Sequence, residues 1–394
     1  MRFFISTELP IFIQICRVKH YLKILFSFFI AFVAFSCQSE KQENVNEAAR
    51  RMEIVDSTVM AFQQLLFQQQ LDTIFSKSRL NGGISVAKQG RIIKEKFNGF
   101  EDFKTKSKID SNSVFAIGSV SKQFTAVLVL LQEEAGKLSI DDKVSKYLSD
   151  FQSKPFQEIT IAQLLNHTSG ISDAGSGLLS VPGTKFNYSN KGYRFLGEIV
   201  AKVSGQSFDQ NLQTLFKKVK MIHSSTANLF SNGHFASAYL GTPTVFQQVQ
   251  NMPKRLASQD ISVAAGGVLS SLSDLHRWNF ALYNGQILGK GSLKKMLIPS
   301  SQTQHAILGK VDYGLGIMMN AGKPVSYFHT GYVKGSPSLN IYYPQSQTSV
   351  VILSNIADES KGKNTIFAPH KAVKEVADAI ENATSEMHKA MKVQ

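Results

Sequence analysis

The chain predicts an α/β (α+β) fold: a mixed, mostly antiparallel sheet built from both ends of the chain, flanked by helices, with a largely helical inserted subdomain. Three observations carry this. Strand-like apolar runs cluster near residues 83–99 and again over 313–355, whereas helical periodicity dominates from about 119 to 260. Amphipathic helical patterns bracket the strands at Val59–Ser78 and Phe367–Ile380. Strands at both ends with helices between them form one sheet only if distant segments pair.

At the N-terminus, Arg17, Lys19 and Lys23 followed by the apolar run Ile24–Phe35 read as an export signal. The run is short of the roughly 20 residues that a spanning helix needs. Ser36-Cys37 and a polar tract, Gln38–Glu47, come next. Residues 1–37 are therefore assigned to export, 38–58 to a polar tether, 59–385 to the folded domain and 386–394 to a tail. The first helix of the body rests on Phe62, Leu65, Leu66, Leu71, Ile74 and Phe75. Gly83–Lys88 and Arg91–Gly99 flank Gln89-Gly90 and predict a hairpin.

A helix opens near Ser119, with Val120, Phe124, Val127, Leu128 and Leu131 at helical spacing, and stops near Gly136. Asp141 and Asp142 read as turn caps, not as an acid–base pair. Ile159–His167 predicts a helix, and His167 is taken as a buried structural donor outside the site. Phe195–Val203 resumes the helical pattern, and Ser273-Asp274 is placed as the cap of a helix through Tyr283. Tyr313–Asn320, Val325–Thr330, Ser338–Tyr343 and Ser349–Asn355 predict strands separated by Gly, Pro and Ser turns.

Composition narrows the chemistry. The net charge is +14, but the basic residues are spread along the chain without a dense tract or nucleic-acid motif, so nucleic acid is set aside as a partner. A basic surface beside anionic envelope polymers or lipids fits better. Both cysteines, Cys16 and Cys37, precede the folded region, which excludes a disulfide framework or Cys-based zinc site there. The nine histidines lack ligand spacing and no glycine-rich phosphate loop is present, so neither metal nor cofactor is expected.

Ser119 precedes Lys122 by three residues, which places hydroxyl and amine on one helix face. An alcohol is a poor nucleophile near neutrality, and a buried amine of lowered pKa can take its proton. Ser-x-x-Lys also occurs at Ser85–Lys88, Ser292–Lys295 and Ser360–Lys363; only Ser119 follows an apolar approach and a Gly and opens a half-buried helix. The Ser119 amide, in the first turn, can face an oxyanion. Tyr188-Ser189-Asn190 is the only Tyr-x-Asn. Tyr188, its phenol acidified by Lys122, is expected to shuttle protons, and Asn190 to hold Lys122 and a substrate amide. His329-Thr330-Gly331 closes a strand, where Gly331 is expected to admit a substrate backbone and the Tyr332 amide to supply a second oxyanion donor.

These three motifs, in this order, resemble the penicillin-recognising serine hydrolases: class C β-lactamases, low-molecular-mass penicillin-binding proteins and D-alanyl-D-alanine carboxypeptidases, and related esterases and D-amino-acid peptidases. The resemblance spans about Val59 to Ile380. It implies Ser119 as the acylated nucleophile, Lys122 and Tyr188 as a general-base pair, and Asn190 as a contact of substrate and Lys122. His329 and Thr330 would lie beside the substrate's carboxylate or leaving group, with the Ser119 and Tyr332 amides as the oxyanion hole. Class C β-lactamases usually carry Lys where this chain has His329. A histidine titrating near 6.5 would make carboxylate recognition weaker or pH-dependent. No separate Glu for deacylation is found, which leaves that step to Tyr188. Ser36-Cys37 resembles a bacterial lipoprotein cleavage site, with Cys37 as the lipidated residue. The expected protein is thus an envelope-tethered serine hydrolase, periplasmic or surface-exposed. Its substrate would be a peptidoglycan-like peptide, an ester or a β-lactam. The alternative is a catalytically weak, penicillin-binding-like envelope binding protein.

Overall fold

The computed structural model describes residues 46–393, apart from 79, 232 and 258–261. The export segment and Cys37 lie outside the described residues. The chain divides into a small unit, Met1–Ala61 with Met387–Gln394, and a large one, Phe62–Glu386. Within the small unit, His388 Nε2 meets Asp56 Oδ1 at 2.7 Å.

The large unit is organised on an eight-stranded sheet. Its strands are β1 (Gly82–Lys88), β2 (Arg91–Asn98), β3 (Ser301–His305), β4 (Gly309–Tyr313), β5 (Met318–Asn320), β6 (Ser326–Val333), β7 (Ser336–Tyr343) and β8 (Thr348–Ser354). The spatial order is β3-β4-β5-β6-β7-β8-β1-β2, every neighbouring pair antiparallel. The expected assembly from both chain ends is therefore realised between β1 and β8. The Gln89-Gly90 hairpin is present, with both residues at positive φ. Strands β3 and β4 escape the apolar pattern because Ser-Gln-Thr-Gln-His and Gly-Lys-Val-Asp-Tyr expose alternate polar side chains at the sheet margin.

Helices lie on both faces. They are α1 (residues 46–77), α2 (Ser121–Glu134), α3 (Ile161–Leu165), α4 (Asn190–Ser204), α5 (Phe208–Lys218), α6 (Val263–Gly266), α7 (Leu272–Tyr283), α8 (Lys290–Met296), α9 (Lys363–Ile366) and α10 (Ala368–Val393). Phe67, Leu71 and Ile74 of α1 and Val373, Ala377 and Ile380 of α10 pack on Val350 and Ile352 of β8. Val351 and Leu353 face the opposite cluster, built around α2, α4 and α7. Burial on both faces explains the unbroken apolar run of β8.

Element boundaries correct the sequence reading in several places: the run expected as one strand over Tyr313–Asn320 is split, Tyr313 ending β4 and Met318–Asn320 forming β5. Helix α1 begins by residue 46, inside the expected tether, because Glu47-Ala-Ala-Arg-Arg is made of strong helix formers. Helix α10 runs through the expected tail to Val393; Glu381, just beyond the predicted end, accepts from Gln63 Nε2 at 2.6 Å. The α7 cap is Ser271, whose side chain accepts from the Asp274 amide, and not Ser273-Asp274.

Candidate active site

Ser119 occupies a single 3-10 turn, Gly118–Val120, that feeds directly into α2. Gly118 sits at φ +52°, and a Cβ there would meet the Tyr332 amide nitrogen at 2.7 Å. Only glycine lets the turn press this closely against β6. The Tyr332 nitrogen and the Ser119 turn thereby come together. Gly331 is the second close approach. Its Cβ would lie 2.0 Å from the Ile117 carbonyl oxygen, to which Ser338 Oγ donates at 2.8 Å. The side of Gly331 that a Cβ would take is thus filled by Ile117, at the start of the Ser119 turn. Strand β6 also continues past Gly331 to Val333.

Helical spacing brings Lys122 Nζ to 3.2 Å from Ser119 Oγ. The same nitrogen lies 2.8 Å from Asn190 Oδ1 and 2.7 Å from the Ala265 carbonyl. Lys122 is fully buried, and desolvation brings its pKa from 10.5 to about 7, against the opposing charge of Asp173. A neutral amine has two N–H groups for Asn190 and Ala265, and its lone pair then points at the Ser119 hydroxyl.

Tyr188 OH donates to Ser119 Oγ at 2.7 Å. Burial pushes this phenol upward, well out of the neutral range. The expected acidification by Lys122 is not what the site shows: a desolvated phenolate is costly, so burial holds Tyr188 in its neutral, proton-donating form. Beneath it, the buried His167 ring lies 4.3 Å from the Tyr188 ring, and its Nδ1 accepts the Ser189 amide at 3.1 Å. His167 therefore braces the Tyr188-Ser189 corner as an acceptor, where the sequence suggested a donor unconnected with the site.

His329 departs furthest from expectation. It is fully buried, and desolvation followed by the Lys122 charge lowers its pKa to about 3. Its Nδ1 lies 2.6 Å from the Thr330 carbonyl and its Nε2 3.0 Å from Tyr313 OH. The ring donates from Nδ1 and accepts at Nε2, so both nitrogens are occupied and the imidazole is neutral throughout the physiological range. pH-dependent carboxylate recognition by His329 is not supported. Thr330 Oγ1 is 3.1 Å from Nε2 of His305, a residue the sequence did not single out. His305 Nδ1 accepts the Ile307 and Leu308 amides, each at 3.3 Å, so Nε2–H donates to Thr330 and leaves the hydroxyl proton for another acceptor.

Asp173 was also missed. Its carboxylate takes the amides of Asn190 and Lys191, each at 2.9 Å, at the start of α4. A lone acid in Ile-Ser-Asp-Ala-Gly-Ser-Gly, 17 residues before the helix it caps, carries no local signature. Among the described residues no cluster of three or more His, Cys, Asp or Glu is arranged to hold a metal, and no helix is long and apolar enough to cross a membrane.

Residues 58–371 match the Beta-lactamase family. Penicillin-binding protein 4* of Bacillus subtilis is 28% identical over 341 residues, covering 76% of this chain and 73% of that protein. Among solved structures, D-amino acid amidase from Ochrobactrum anthropi superposes with a TM-score of 0.69 at 19% identity, over 82% of this chain and 99% of that one. A penicillin binding protein from Bacillus halodurans gives 0.65 at 23%, over 78% and 99%.

Proposed function

The chain belongs to the Beta-lactamase family, and from that premise we propose that it is a serine acyl-enzyme hydrolase with Ser119 as nucleophile, Lys122 as base and Tyr188 as proton donor. The observation that carries the reading is the convergence on Ser119 Oγ of a buried amine at 3.2 Å and a phenol at 2.7 Å. In this reading Ser119 Oγ bonds to the substrate carbonyl carbon while its proton passes to neutral Lys122. The carbonyl oxygen takes the negative charge and the Ser119 and Tyr332 amides receive it. On collapse the bond to the leaving group breaks. The leaving nitrogen or oxygen takes the Tyr188 proton, which the Lys122 ammonium replaces. Water then attacks the acyl carbon, gives its proton to the amine, and releases the acid as Ser119 regains a proton.

A buried, neutral His329 offers a substrate carboxylate no charge, which supports esters and amides without a carboxylate ahead of β-lactams and C-terminal peptides. The amide chemistry in the name of the Ochrobactrum neighbour agrees with that order. The envelope tether through Cys37 is part of the same proposal and rests on the leader sequence; fatty-acid labelling that disappears in Cys37→Ser tests it.

A fluorescent fluorophosphonate should label the wild-type protein and leave Ser119→Ala unlabelled. Equal labelling of both removes Ser119 from the mechanism. A p-nitrophenyl ester, a D-Ala-D-Ala peptide and nitrocefin assayed side by side rank the substrates, the ester being expected ahead of the two carboxylates.

A further inference from the structure

We propose that Asp173 is a positioning residue of the catalytic site, clamping the start of α4 so that Asn190 presents its carbonyl oxygen, and not its amide nitrogen, to Lys122. The inference rests on the serine hydrolase reading and adds a group that touches neither substrate nor nucleophile.

The contacts fix the direction of the Asn190 side chain chemically. Asp173 Oδ2 accepts the Asn190 backbone amide at 2.9 Å and Asn190 Nδ2 at 3.1 Å. Its other oxygen accepts Ser189 Oγ at 2.8 Å and the Lys191 amide at 2.9 Å. An ionised carboxylate only accepts, so it demands Nδ2 on its own side and turns Oδ1 toward Lys122, 2.8 Å away. A flipped amide would set oxygen against carboxylate and N–H against the amine, losing both bonds. Ser189, held by the same carboxylate, in turn accepts the Gly192 amide at 3.0 Å and caps α4. Asp173 itself is carried on a short loop closed by the Ile171–Leu178 bridge and by Lys191 Nζ on the Gly175 carbonyl at 3.0 Å.

The clamp has an electrostatic side. The groups around Lys122 are the Tyr188 and Tyr193 rings, 4.8 and 5.2 Å from Nζ, with Ser119, Asn190 and the Ala265 carbonyl. His167 and His329 also feel its charge, and burial keeps both neutral. Asp173 is the anion that acts against desolvation at Lys122; Lys191, whose amide it accepts, turns its ammonium to the Gly175 carbonyl. Removing the carboxylate charge therefore makes the amine easier to deprotonate while loosening its partner Asn190.

Those two effects pull activity in opposite directions, which separates positioning from mere support of the fold. Wild type, Asp173→Asn, Asp173→Ala, Asn190→Ala and the Asp173→Ala/Asn190→Ala double variant are compared on a p-nitrophenyl ester across pH, with fluorophosphonate labelling of Ser119 alongside. Asp173→Asn should lower the plateau of kcat/KM about tenfold and move its acidic limb down by about half a pH unit. In the Asn190→Ala background, Asp173→Ala should cost no more than about a further twofold. Multiplying losses with an unmoved acidic limb would show that Asp173 merely supports the helix start, and would overturn the inference while leaving the hydrolase reading intact. Should Asp173→Ala fail to fold, the same cycle is run with Asp173→Asn. A wild-type protein that neither labels nor turns over ester defeats the hydrolase reading first, and this inference with it.

Discussion

Replacing Lys122 by methionine exchanges a buried, titrating amine for an apolar side chain of similar length, and the stability of the fold should respond in a pH-dependent way. In the unfolded chain the amine holds its proton up to its ordinary value of 10.5, whereas burial in the fold lowers that value to about 7. Between those values unfolding takes up a proton, so wild-type stability rises with pH across the window and is level on either side of it. At about 1.36 kcal/mol per pH unit the gap amounts to roughly 5 kcal/mol. The methionine variant avoids this term but strands the Asn190 and Ala265 acceptors, at a cost of about 1–3 kcal/mol each. Relative to wild type it should therefore be most stable near pH 7 and lose ground steadily toward about pH 10. Urea unfolding of both proteins at several pH values gives the difference directly, and that difference should change by about 1.4 kcal/mol per pH unit. Curves that run parallel would mean that the amine keeps its proton in the fold, and Lys122 could not be the base.

Tyr188→Phe keeps the ring on His167 but removes the donor to Ser119, and should lower kcat about a hundredfold without moving the acidic limb of the pH–rate profile. The limb itself should lie near pH 7, with activity lost as Lys122 protonates. His329→Lys forces a cation into a site whose partners are Tyr313 OH and the Thr330 carbonyl; the urea midpoint should fall, by about 2 kcal/mol or more in stability. Gly331→Ala drives a methyl onto the Ile117 carbonyl and should slow Ser119 labelling at least about tenfold. Gly291→Ala, where a Cβ meets nothing within 4 Å, serves as the silent control.

Much of the site was legible because its spacing is local. A three-residue step inside a helix put Lys122 beside Ser119, and Tyr188 and Asn190 sit together at the start of α4. The strands at 326–354 and the N-terminal hairpin announced themselves through β-rich apolar runs broken by Gly and Pro. What stayed hidden depends on burial and on partners far along the chain. The direction of the Tyr188 and His329 shifts follows from how completely each group is desolvated, which no four-residue pattern encodes. The occupant of the space at Gly331 is Ile117, more than 200 residues earlier. Asp173 acts from a Ser/Gly loop with no periodicity, and the polar margin strands β3 and β4 look like loop until the sheet is assembled.

The order of the sheet has a consequence for biosynthesis. The β1–β2 hairpin leaves the ribosome early, but the other side of β1 pairs with β8, with Gly82 opposite Ser354 roughly 270 residues later. Closing so long a loop is slow relative to local pairing. A nascent chain stalled anywhere before Thr348 carries β1 as an open edge that invites a neighbouring polypeptide. Translation must run almost to its end before β1 acquires its second neighbour, so that edge stays open for most of the time the chain is being made.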